Sequence, residues 1–215
     1  MKRICIFDWA GTLVDKGSYA PLYAFKKTLK QFNITQTDSE INKYMGLDKF
    51  NHLLKLTKDI EKTRKIYPIL IENMKESITQ HSIPIPHVNE IFKYLRSKNY
   101  YIGSTSGYNR ELLNIAMFTA FKHGMHIPFN VASDEVKNPR PSKDMIYKNF
   151  EVFNLNPYET IVVKIGDTIV DIEEGNSVEA FYNIGISSDT NLTQQMYDKG
   201  ATHVINSLEN LFTIL

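Results

Sequence analysis

Four short runs, at residues 3–7, 100–104, 160–165 and 181–186, are apolar with little alternation, and a weaker one follows at 202–204. A run without a polar face suits a strand covered on both sides, as in a parallel sheet between two layers of helices. Each run is followed by a turn and then by helical periodicity, the rhythm of an α/β fold. The interval between the first two runs breaks that rhythm. It holds no strand-like run, and residues 18–32, 38–44, 48–57 and 59–81 read as helices. The segment "SIPIPH" at 82–87 ends them, because two prolines so close cannot sit inside a helix. A helix at 88–97 then leads into the second run. The expected architecture is α/β, with a Rossmann-like parallel core at residues 1–15 and 87–215 and an inserted α-helical domain at 16–86.

Composition narrows the function classes. With a formal charge of +1, nothing global points to nucleic acid or to a membrane surface. The lysine-rich stretch at 55–65 is interleaved with Asp59 and Glu61, as a solvated helix face is. The single cysteine, Cys5, lies inside the first apolar run and reads as a buried core thiol. No apolar run has the length of a signal peptide or a membrane span, so a cytoplasmic location is expected.

Ligands of open parallel sheets bind beyond the carboxyl ends of the strands, and four sets of polar residues fall there. Asp8 follows the first run, and Ser106 and Gly107 follow the second. Arg140 lies in the loop "VKNPRPSKD", and "GDTIVD" at 166–171 follows the run ending in "VVKI". Together they carry the parts of a phosphoryl transfer. Asp8 can attack phosphorus and form an aspartyl-phosphate. The Ser106 hydroxyl can hold a phosphoryl oxygen, and Arg140 can neutralise transition-state charge with its fork of donors. Asp167 and Asp8 with a backbone carbonyl make an all-oxygen site suited to Mg²⁺. Asp171, one helical turn on, can support that site. Singly, each has a bland reading as a cap or turn residue. Four in this order at successive strand ends do not.

This order, with a helical insertion after the first strand, resembles the haloacid dehalogenase superfamily, whose four motifs fall at Asp8, Ser106, Arg140 and Asp167 with Asp171. The resemblance implies that superfamily's core and its helical cap. It leaves the substrate open, because the same core serves phosphatases, mutases, dehalogenases and phosphonatases.

The segment "DWAG" narrows the choice. An alkoxide leaving group needs a proton, which a second carboxylate two residues after the nucleophile would supply. That position here is Ala10. Cleavage of a P–C bond expels a carbanion instead, and an imine on an adjacent aldehyde gives its electron pair somewhere to go. A lysine is then required, and "YMGLDKFNH" at 44–52 offers one. Gly46 permits a tight turn, Asp48 is a helix N-cap, and Lys49 sits in the first turn, where the helix dipole favours the free amine. His52 lies three residues on, placed to exchange protons with Lys49.

The stretches "FDWAGT", "MGLxKxxH", "GSTSGY" and "KIGDTxxD" are similar to the phosphonoacetaldehyde hydrolase family, the phosphonatase branch of the superfamily. That likeness implies hydrolysis of phosphonoacetaldehyde to acetaldehyde and phosphate, with Mg²⁺ as cofactor. It assigns Asp8 as nucleophile, Lys49 as Schiff-base lysine and His52 as its proton partner. The main chain of Ala10, with Asp8, Asp167 and Asp171, falls in the metal site. Met45 and Gly46 shape the cap turn, and Ser106, Gly107, Tyr108 and Arg140 line the pocket for the small-molecule phosphonate. A homodimer through the cap is also implied. There are departures. Ser18 stands where the family carries a cysteine, Pro139 replaces a glycine before Arg140, and Glu179 interrupts a stretch of small residues. The segments between His52 and Pro86 and after Gly185 are shorter than the family's. Two rivals are a phosphatase of small phosphate esters, against which Ala10 counts, and a non-catalytic descendant, against which retention of every motif residue counts.

Overall fold

The computed structural model describes residues 1–215. Six strands are present: β1 (Lys2–Phe7), β2 (Tyr100–Ser106), β3 (Phe129–Ala132), β4 (Thr160–Gly166), β5 (Tyr182–Ile186) and β6 (His203–Ile205). They pair in the order β3-β2-β1-β4-β5-β6, and every pairing is parallel. The absence of alternation in β1 has a direct cause. Cys5 and Phe7 enter the main core while Ile4 and Ile6 enter a second cluster with Ile146, Phe150 and Val162, so both faces are covered. The chain runs outward from β1 to β3, then crosses to β4 and runs outward the other way. The crevice between the carboxyl ends of β1 and β4 is therefore the topological switch point where such sheets bind ligands.

Four helices fill the interval after β1: α1 (Tyr19–Gln31), α2 (Asp38–Asn42), α3 (Lys49–Thr57) and α4 (Ile60–His81). The core helices are α5 (Val88–Ser97), α6 (Arg110–Lys122), α7 (Asp144–Val152), α8 (Ile169–Asn176), α9 (Thr190–Asp198) and the short α10 (Leu211–Ile214). The two connections to the inserted helices run side by side. Asp15 N–H donates to the Ile83 carbonyl at 3.0 Å, and Ile85 N–H to that of Leu13 at 2.9 Å. Asp15, Gly17 and Ser18 all take left-handed backbone conformations there. Asp15 accepts hydrogen bonds from the N–H groups of Tyr19 and Ala20, so its carboxylate caps α1 in place of Ser18.

Two elements differ from the expectations. β3 matches none of the expected runs: four residues, two of them half-buried, are too short to leave a hydrophobic pattern. The helix expected at 38–44 ends at Asn42. Thr37 and Glu40 form a capping box that starts it, and Gly46, with φ of 92°, turns the chain before Asp48 starts α3.

Candidate active site

Asp8 is the first residue past β1, and its N–H donates to the Ile165 carbonyl of β4 at 2.9 Å. Ser106 is the last residue of β2, and its hydroxyl accepts the N–H of Tyr108 at 3.1 Å. Asp167 follows β4 directly. Neighbouring strands thus place all three at one edge of the sheet, and Arg140 reaches the same edge from the loop after β3.

Arg140 is buried, and both of its terminal nitrogens are bonded. Nη1 donates to Asp8 Oδ1 at 2.5 Å, and Nη2 to the carbonyl and hydroxyl of Thr105 at 2.6 and 2.5 Å. Nη1 also lies 3.1 Å from Asp171 Oδ1. Behind it stand Lys164 of β4 and Glu174 of α8, neither of which the sequence reading selected. Lys164 Nζ donates to Asp171 at 2.7 Å and lies 3.1 Å from Glu174. Burial works against the charge of Arg140, but Asp171, Glu174 and Asp8 outweigh it and raise its pKa further. For Asp171, burial is likewise outweighed by Arg140 and Lys164, and its pKa is lowered. Asp8 goes the other way, raised by burial and by Asp171 against the pull of Arg140.

Asp167 has hydroxyl partners only: Thr12 at 3.3 Å and Ser18 at 3.0 Å. Ser18 also donates to the Ala10 carbonyl at 3.0 Å, tying the first turn of the inserted helices to that oxygen. Gly11, with φ of 89°, leaves room for both, since a Cβ there would collide with Asp167 and with the Ser18 hydroxyl. Burial, then Asp8 and Asp171, push the Asp167 carboxyl well above its usual range. A carboxylate with no cation beside it, and two more within 4.8 Å, is a donor set that fits a hard divalent cation such as Mg²⁺. Asp8, Asp167 and the Ala10 carbonyl would hold it. Both oxygens of Asp171 are engaged, Oδ1 by Lys164 and Arg140 and Oδ2 by the hydroxyl and N–H of Thr168, so Asp171 stands behind the ligands.

The inserted helices deliver the amine. Asp48 caps α3, and its carboxylate accepts both the N–H and the side-chain amide of Asn51, so it is directed away from Lys49. Lys49 is 5% exposed and its Nζ lies 5.2 Å from the centre of the Tyr108 ring. Burial lowers its pKa to about 8, against the pull of Asp8 and Asp48. Nζ donates to the Leu47 carbonyl at 3.2 Å and does not pair with His52, contrary to what the i, i+3 spacing implied. His52 Nε2 is 2.9 Å from the Ile41 carbonyl. A carbonyl only accepts, so Nε2 carries the proton and Nδ1 is left as a buried acceptor with no partner. Burial and the Lys49 charge hold the ring neutral. Tyr108 is buried, and burial with the acids around it pushes its phenol well above the usual value. Gly46 and Gly107 are where the two halves of the site meet. A Cβ on Gly107 would lie 2.5 Å from the Leu47 carbonyl oxygen, and one on Gly46 would lie 2.5 Å from the Thr168 hydroxyl.

These residues enclose a cavity of about 20 Å³, which Met45, Gly46, Lys49, Gly107 and Tyr108 line opposite Asp8. A larger hollow of about 750 Å³ lies at the far edge of the sheet around Lys2, Asn154 and Glu159 and gathers no reactive groups. A family model described as haloacid dehalogenase-like hydrolase matches residues 5–183, which span both the strand-end acids and the inserted helices. The chain belongs to the haloacid dehalogenase-like hydrolases. Within that family it is 34% identical over 209 residues to a phosphonoacetaldehyde hydrolase of Bacillus cytotoxicus, covering 88% of this chain and 78% of that one. It is 35% identical over 217 residues to a bifunctional phosphonoacetaldehyde hydrolase/aminoethylphosphonate transaminase of Clostridioides difficile, covering 90% of this chain but only 33% of the other. In three dimensions it is similar to a phosphonoacetaldehyde hydrolase-like protein of Oleispira antarctica, with a TM-score of 0.88 at 26% identity over 99% of this chain and 91% of that one. A predicted phosphatase of Clostridium acetobutylicum, at 18% identity and a TM-score of 0.81, shares the fold. No helix of this haloacid dehalogenase-like hydrolase is long and apolar enough to cross a membrane.

Proposed function

We propose that the chain hydrolyses the P–C bond of phosphonoacetaldehyde to acetaldehyde and phosphate. The observation that carries this is the buried Lys49 amine, with a pKa of about 8, facing Asp8 across a site whose acid position is Ala10. A buried lysine depressed toward neutrality is a nucleophile for carbonyls. The Lys49 amine adds to the aldehyde and expels water, leaving a protonated imine. Asp8 then attacks phosphorus, the P–C bond breaks, and its electron pair moves into the imine to form an enamine. Protonation of the enamine carbon and addition of water release acetaldehyde and the free amine. Water then cleaves the aspartyl-phosphate to phosphate and Asp8. His52, held neutral with Nδ1 unpartnered, is the group proposed to relay the Lys49 proton. That transfer needs the two side chains to move into contact, because Nζ here bonds the Leu47 carbonyl. Ser106 and the N–H groups around it orient the phosphonate oxygens, while Arg140, whose terminal nitrogens are bonded to Asp8 and Thr105, orients Asp8. A bound Mg²⁺ would offset the charge between phosphonate and Asp8.

The enclosed space is enough for about one or two waters. Substrate entry therefore requires the loop before α3 to part from the loop after β2 and close again, which also excludes water from the imine. The test is reductive trapping. Borohydride added with phosphonoacetaldehyde should inactivate the protein irreversibly and leave a two-carbon group on Lys49, located by peptide mass. Lys49→Arg should lose both labelling and turnover. Unchanged turnover in Lys49→Arg, or hydrolysis of an aryl phosphate with no trapping, would overturn this reading in favour of a phosphatase.

A further inference from the structure

Two buried charges have no part in that scheme, Lys164 on β4 and Glu174 on α8. Both are fully buried, where an ion is kept only if its charge is met. Glu174 Oε2 lies 2.9 Å from Arg140 Nε and 3.1 Å from Lys164 Nζ, and it accepts the Thr105 hydroxyl at 2.9 Å. Its other oxygen, Oε1, has no hydrogen-bond partner, and Arg140 Nε approaches Oε2 without the alignment of a hydrogen bond. A carboxylate retained for hydrogen bonding would have both oxygens satisfied. This one is held by charge. Arg140 and Lys164 bring one formal positive charge each, and Asp171 and Glu174 one negative charge each, so the four cancel. Asp8 and Asp167 are the carboxylates left outside that balanced set, at the place where the donor set fits a divalent cation.

We propose that Glu174 is a positioning residue which, with Asp171, balances Arg140 and Lys164, so that these two cations do not offset the carboxylates of Asp8 and Asp167 that face the metal site. Arg140 can then touch Asp8 and fix its direction without neutralising it. The inference rests on the metal-binding part of the proposed function and is independent of which bond is cleaved.

The experiment is Mg²⁺ titration by calorimetry on the substrate-free protein, with circular dichroism to verify folding. In Glu174→Gln the set behind Asp8 gains one net positive charge, and Mg²⁺ should bind at least about tenfold more weakly. Glu174→Gln combined with Lys164→Gln removes one charge of each sign, and affinity should return to within about threefold of wild type. A Glu174 that serves packing alone predicts the reverse order, since the double variant loses more buried contacts than the single one. Weakening of less than tenfold in the single variant, a double variant that stays outside threefold of wild type, or one that does not fold would each overturn the proposal. If the single variant does not fold, the double variant decides. A wild-type protein that binds no Mg²⁺ would overturn the metal reading itself, a distinct result.

Discussion

Lys49 shows most directly how one residue trades stability for chemistry. An amine with an ordinary pKa of 10.5 is lowered by burial to about 8. Between those values the unfolded chain binds the extra proton and the folded chain does not, so folding grows more favourable as pH rises through that window. Below about pH 8 the penalty on the charged amine is complete. Lys49→Met should therefore raise the unfolding free energy at pH 7 by on the order of 2 kcal/mol, a gain that fades as pH approaches 10.5. Urea denaturation at several pH values measures it, and a destabilised Lys49→Met would show that the buried amine is a structural asset. The same pKa sets the activity profile. The amine must be free to attack the aldehyde, so kcat/KM should climb with pH and level off above about 8. A flat profile between about pH 6 and 9 would separate turnover from Lys49. The lysine itself was legible in the sequence, from a glycine turn, an aspartate cap and the i+3 histidine. The orientation of His52 was not, because its partner, the Ile41 carbonyl, belongs to a different helix.

At the scale of elements, the site is made by the approach of two loops, the one before α3 and the one after β2. Gly107 is the limiting position, since the atoms a Cβ would meet are the backbone oxygens of Leu47 and Gly46 at 2.5 and 2.6 Å. Backbone cannot swing aside as a flexible side chain can. Gly107→Ala should hold α3 away from the core, admit water to Lys49 and let its pKa rise toward 10.5. The expected readout is turnover reduced at least about tenfold at neutral pH, with the activity limb moved to higher pH, while secondary structure by circular dichroism is kept. A Gly107→Ala variant with wild-type rate and profile would show that this close approach is dispensable. Helices of the insertion were legible because caps and periodicity are local: Asp48, Asp59 and Thr37 each accept from the first turn of the helix they open. The strand β3 left no such mark. It exists because β2 offers an open edge, and residues such as Asn130 are neutral on the matter until that edge is present.

Over the whole molecule, the inserted helices and the sheet share one apolar core. Phe25, Leu29, Leu53, Ile66 and Met74 of the insertion belong to the same cluster as Phe7, Phe92 and Leu112. Between α4 and α6 the polar link is the Lys75–Glu111 pair at 2.7 Å, and solvent-screened pairs of that kind contribute little. Apolar contact therefore dominates the coupling, and the chain should unfold in one transition. The single tryptophan, Trp9, reports on the sheet side, buried and bonded through Nε1 to Ser104 at 2.9 Å. Far-UV circular dichroism reports largely on the helices. Urea curves from the two should coincide within error, and separate midpoints would show that the insertion melts on its own. The demand that substrate makes for opening then falls on the contacts at Gly46 and Gly107, which can part without disturbing that core.

What the sequence by itself determined is whatever depends on neighbours along the chain. Apolar runs specified strands covered on both faces, and the residue just past each run specified Asp8, Ser106 and Asp167 at one edge. The spacing in "MGLDKFNH" specified a lysine in the first turn of a helix. Only the tertiary structure decided how those groups are charged and joined. Glu174 lies 69 positions from Thr105, and Ser18 lies 149 from Asp167, yet each pair is hydrogen-bonded. No local propensity encodes such a contact. It follows from the crossing of the chain from β3 to β4, which closes distances that sequence separation leaves open. The burial that follows removes water, and a low-dielectric interior turns an ordinary glutamate, arginine and lysine into one interdependent set.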